Sequence, residues 1–103
     1  MDKIAALKEI LALDPRNSFA RYGLAMELAS QGDVAAALAE FDTLLANDPD
    51  YTAGYFMSAQ TMAGAGRRPE AMERLKAGIA SAARSGNHHA LSEMQAMLDE
   101  LQP

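Results

Sequence analysis

His88 and His89 are the only imidazoles in the chain, and a histidine pair is the first place to look for a metal. Zinc takes about four ligands drawn from imidazole, thiolate and carboxylate. Adjacent residues do not share a helix face, and no H-x-x-x-H accompanies the pair. His89 and Glu93, at i,i+4, supply at most two ligands, so the spacing reads as a solvated helix start. Gly64-Ala65-Gly66-Arg67-Arg68 offers another chemistry: backbone N–H groups and guanidiniums ahead of a helix could cradle an anion. It lacks the GxxxxGK[ST] and GxGxxG spacings, and Gln31-Gly32-Asp33 makes the same kind of turn without arginines. For catalysis there is no cysteine, no GxSxG and no isolated carboxylate pair suited to general acid–base work. Asp14, Asp48 and Asp50 flank prolines, where turn formation explains them. The sequence therefore designates no catalytic, cofactor-binding or metal-ligating residue, and an enzyme is not expected.

The elements that must position any binding residues are helices. The chain has 103 residues, half of them apolar but only 6% aromatic. Alanine, leucine, methionine and glutamate dominate over β-branched types, which favours helix. No cysteine means no disulfide. The N-terminus breaks each apolar run with charge, unlike a secretory signal, and no segment approaches the ~20 apolar residues of a membrane span. A cytoplasmic protein is expected. The net charge of −5 disfavours nucleic acid as a ligand. It is unevenly spread: residues 1–66 carry 4 basic and 9 acidic groups, residues 67–86 carry 5 and 2, and residues 87–103 carry none and 3.

Apolar spacing predicts six helices. The first covers residues 2–13, with Ile4, Leu7, Ile10 and Leu11 on one face, and Pro15 ends it. Asn17 caps a second helix over 18–31. Gly32 stops that helix and Asp33 caps a third over 34–47, with Ala37, Leu38, Phe41 and Leu44 inward. After Pro49 a fourth runs over 52–65. Pro69 sits near the first position of a fifth, in which Glu70 and Arg74 form an i,i+4 pair. Ser85-Gly86-Asn87 is a turn, and a sixth helix runs from His88 to Leu101.

These helices repeat. The phrases ending at Pro15 and Pro49 lie 34 residues apart. Shifting 18–51 onto 52–85 aligns Ala25 with Ala59, Ala29 with Ala63, Gly32 with Gly66, Ala37 with Ala71 and Ala46 with Ala80. The matches are small residues at expected helix crossings and the turn glycine. A period of this length marks a repeated helix-turn-helix unit. The domain divides into an N-terminal half-repeat helix (1–17), a first repeat (18–51), a degenerate second repeat (52–85) and a C-terminal capping helix (86–103).

Leu24, Ala37, Phe41 and Pro49 match the pattern W-x2-L-G-x2-Y, then A-x3-F, then P, and here the chain resembles the tetratricopeptide repeat family. Arg21 stands where the tryptophan would be. In the second unit Ser58 replaces the leucine and Ala83 the final proline, so the turn after the fifth helix is the least determined. The resemblance implies an all-α fold: antiparallel helical hairpins stacked as a short right-handed solenoid. It also implies that the first helix of each pair lines a concave face. The residues expected there are Phe19, Tyr22, Met26 and Ala29, then Ala53, Phe56, Gln60 and Ala63, and, if the sixth helix joins the row, Ala90, Met94 and Met97. Such an apolar surface suits a peptide or helix of a partner protein; self-association as a homodimer or other homo-oligomer, through the groove or the end helices, is the alternative. A family variant grips a peptide's terminal carboxylate with Lys, Asn and Arg. The matching positions here hold Tyr22, Met26, Ala53, Met57 and Gln60, so that clamp is absent.

Overall fold

The computed structural model describes residues 2–103. Six helices follow in order: α1 (Lys3–Leu13), α2 (Ser18–Ser30), α3 (Val34–Asn47), α4 (Thr52–Gly64), α5 (Arg68–Ser85) and α6 (His88–Leu101). No strand occurs among the described residues. Local chemistry sets the boundaries. The side chains of Asn17 and Asp33 accept hydrogen bonds from the N–H groups of Ala20 and Ala36, filling the orphan donors at the starts of α2 and α3. Asp2 and Asn87 do the same for α1 and α6. Gly32 and Gly66 take φ of 82° and 79° in equivalent turns, a conformation that costs glycine nothing.

Each helix packs antiparallel on the next, and a second set of contacts gives the stack its curvature. The backbones of α2 and α4 come close, as do those of α4 and α6, whereas α3 and α5 are joined by side chains alone. The row α2–α4–α6 is therefore the inner one. The main core holds Ala25, Ala37, Phe41, Ala59, Ala71 and Leu75, all 0% exposed. Alanines at the crossings let paired helices approach closely, and Phe41 and Leu75 fill the gaps between units. A smaller cluster of Leu11, Ala20 and Leu24, with Ile4 and Leu7 against it, ties α1 to α2.

Two expectations need correction. The Glu70–Arg74 pair does not form. Glu70 lies 3.8 Å from Arg67, while Arg74 reaches back to Asp42 on α3 at 2.6 Å, because acceptors on two neighbouring helices, Asp42 and the Ser58 hydroxyl, both take its guanidinium. Asp50 is more than a turn former: its carboxylate accepts from Ser81 at 2.9 Å and Arg84 at 2.8 Å. α5 also outruns its counterpart, at 18 residues against 14 for α3. Ala83 stands where α3 is ended by Pro49, so α5 continues until Gly86, which takes φ 68°.

Candidate functional site

The inner row carries three adjoining depressions. One of about 480 Å³ lies between α1 and α2, lined by Ala6, Leu7, Phe19, Tyr22, Gly23 and Met26 with Lys3 and Glu27 at its edge. A second, about 200 Å³, lies among α2, α4 and α6 and is lined by Tyr22, Ala53, Phe56, Met57 and Ala90 together with Asn87, His89 and Glu93. A third, about 320 Å³, continues along α4 and α6 past Phe56, Gln60, Ala96 and Met97 to Glu93 and Glu100. Tyr22 is common to the first two and Phe56 to the last two. The depressions thus form one groove running from α1 to α6.

Phe19 stands out from this surface at 80% exposure. Such a ring in water is a ready source of apolar burial for a ligand. Tyr22 is held differently. Its ring meets Phe41 edge-on at 6.4 Å and Tyr51 at 5.4 Å, so the core fixes its orientation. Burial raises the Tyr22 hydroxyl above the ordinary tyrosine range, with the Tyr51 hydroxyl adding to the effect. Burial raises Tyr51 as well, helped by Asp48. Both rings therefore present neutral hydroxyls at physiological pH.

Eight of the eleven expected groove residues line these depressions: Phe19, Tyr22, Met26, Ala53, Phe56, Gln60, Ala90 and Met97; Ala29 and Ala63 pack against the main core instead. Met94 does not line them either. It is 0% exposed, in the main core with Leu98. A Cβ placed on Gly78 of α5 would come within 2.5 Å of the Met94 sulfur. The extra length of α5 is the cause. α2 begins at Ser18 and α4 at Thr52, one 34-residue period apart, but α6 begins at His88, 36 residues after α4. A uniform 34-residue shift sets Met94 against the exposed Gln60. The true offset sets it against buried Ser58, and Ala96 takes the place of Gln60. Sequence reasoning also missed the contribution of α1 (Ala6 and Leu7) and the carboxylates Glu93 and Glu100. The acidic, arginine-free composition of 87–103 was the available signal for the latter.

The back of α6 differs from the backs of α2 and α4. Counted from each N-cap, one step holds Ala25 in α2 and Ala59 in α4, both 0% exposed under the following helix, but Gln95 in α6, exposed. Gln95 donates to Asp99 at 3.0 Å, and Ser92 beside them is exposed too. α6 lines the groove with one side and turns a polar back outward, as a capping helix does. His89 meets Glu93 on the groove side. No described helix is long and apolar enough to cross a membrane.

Antiparallel helix pairs stacked around an inner row, with small residues at each crossing and an apolar inner face, define a helical-repeat solenoid. Within that class, the tetratricopeptide repeat model matches residues 4–50 and 28–98, and the chain belongs to the tetratricopeptide repeat family. It is 30% identical over 98 residues to a TPR repeat-containing protein of Pseudomonas aeruginosa, covering 95% of this chain and 93% of that one. A tetratricopeptide repeat domain protein from Salinibacter ruber superposes with a TM-score of 0.81 at 31% identity, over 85% of this chain and 89% of the other. The TPR2B domain of yeast Sti1, solved as a complex with pHsp70, superposes with a TM-score of 0.88 at 19% identity, over 95% and 78%. The fold generally mediates protein–protein interaction, and its domains are typically non-enzymatic.

Proposed function

We propose that this protein is an interaction module that holds a peptide or helix of a partner protein in the groove along α2, α4 and α6. The observation that carries the proposal is the continuity of three apolar depressions through Tyr22 and Phe56, with Phe19 80% exposed at one end. Exposed apolar surface of this kind marks interaction sites. The yeast Sti1 domain of the same fold, solved with pHsp70, lends the reading support by analogy. The test uses variants that leave the core alone. Ala53 is small, exposed and in the groove floor, so Ala53→Trp should obstruct the groove and Phe19→Ala should remove its most exposed anchor. Proteins captured from the native cell by the wild type should fall about tenfold with either variant, while the far-ultraviolet CD spectrum is unchanged. Capture by both variants at the wild-type level would sink the groove reading.

Self-association is a second reading, favoured by one observation. Ile10 and Leu13 on α1 are 44% and 91% exposed, and α1 packs on α2 alone. The opposite end carries the polar back of α6, so of the two ends the α1 end is the one with exposed apolar side chains to pair, two copies meeting about a two-fold axis. Light scattering across a hundredfold concentration range is expected to give a monomer. A dimer that Leu13→Lys dissociates would establish self-association instead.

A further inference from the structure

We propose that the segment held in the groove is cationic: an apolar-anchored stretch of another protein whose lysine or arginine side chains lie over α6. This rests on the groove reading above. The ionised side chains on the groove are mostly of one sign. Glu27 borders the first depression, Glu93 the second and third, and Glu100 the third. Lys3 is the one lysine or arginine among the lining residues of the three, and it lies 3.2 Å from Glu27. Glu100 forms no ion pair among the described residues.

The cationic stretch of the chain faces elsewhere. Residues 67–86 carry 5 basic groups but make up α5 and its two caps, outside the inner row, where Arg74 and Arg84 are paired with Asp42 and Asp50. The groove end at α6 is thus acidic, against apolar walls that focus its field. Apolar depressions hold a segment without fixing its register; complementary charge fixes register and speeds encounter. An acidic ligand would set its charges against Glu93 and Glu100. A second copy of this chain, itself of net charge −5, is a poor match for the same reason.

The test uses three synthetic amphipathic peptides with identical leucine spacing and Lys, Gln or Glu at the polar positions. Each is titrated into the full-length protein by fluorescence anisotropy at low and high salt. The Lys peptide should bind about tenfold tighter than the Gln peptide, with the Glu peptide weakest, and salt should weaken the Lys peptide selectively. Glu93 and Glu100 are exposed, so the double variant E93K/E100K should fold, as CD would check, and should invert the order; E93Q/E100Q should flatten it. Equal binding of Lys and Glu peptides, or an order unchanged in E93K/E100K, overturns the proposal, as does no binding of the Lys peptide at millimolar concentration. Ala53→Trp separates the two readings. If it abolishes binding of all three peptides while their charge makes no difference, the groove stands and the cationic partner falls. If binding survives it, the groove itself is wrong. A dimer that Ala53→Trp dissociates assigns the groove to a second copy and overturns the proposal.

Discussion

Arg21, Ser58 and Asp50 each depart from what their position in a repeat suggests, and each finds a specific partner. Arg21, in place of a tryptophan, lies 2.6 Å from Glu40 and donates to the Pro15 carbonyl at 2.8 Å. Its charge-assisted bonds tie α2 to α3 and to the turn that follows α1. Ser58 is 0% exposed and is satisfied by donating to the Tyr55 carbonyl and accepting from Arg74. Asp50 joins the α3–α4 turn to the end of α5. The hydrogen bonds from Arg84, then from Ser81, hold its carboxyl below the usual carboxylate range. A carboxylate with a lowered folded-state pKa stabilises the fold above its unfolded pKa, near ~3.9, and loses that contribution as pH falls through the folded value. Asp50→Asn should therefore melt below the wild type at pH 7, and the two melting temperatures should converge as pH drops below ~4. A gap that stays constant down to pH 2 would show that the carboxylate charge is not what matters.

Among the elements, α5 decides most of what was not apparent beforehand. The starts of α2 and α3 were legible because Asn17, Gly32 and Asp33 act through local bonds that any chain of that sequence would make. The order of helices and the groove positions on α2 and α4 were legible because they recur with the period. Met94 was misplaced because its register depends on where α5 stops. That is set by the missing proline at position 83 and by the reach of Ser81 and Arg84 to Asp50, a contact spanning about a full period. Gly78 lies buried on α5. Its role is to admit Tyr55 and Met94 together: an added Cβ would lie 2.6 Å from the Tyr55 Cβ and 2.5 Å from the Met94 sulfur. Gly78→Ala should thus cost ~1–3 kcal/mol by overpacking, despite alanine's better helix propensity. Urea denaturation would measure it, and an unchanged or higher midpoint would refute the close packing of α4, α5 and α6.

As a whole the molecule is elongated, 42 × 29 × 18 Å, and each unit leans mainly on its neighbours. Stability in such a stack is a sum of local and nearest-neighbour contributions. α1 has only α2 to hold it, with a small cluster between them, whereas α3, α4 and α5 share the main core. Amide hydrogen exchange should run fastest in α1 and slowest in α3–α5; the reverse ranking, read by mass spectrometry, would contradict this division of the core. The polar back of α6 also gives the stack a direction of growth. A 34-residue unit copied in tandem between Pro15 and Pro49 would find apolar helices on both sides and lengthen the array at once. A unit added behind α6 would have to bury Gln95, Ser92 and Asp99, and a replacement of Gln95 by alanine is the first change such a longer descendant would need.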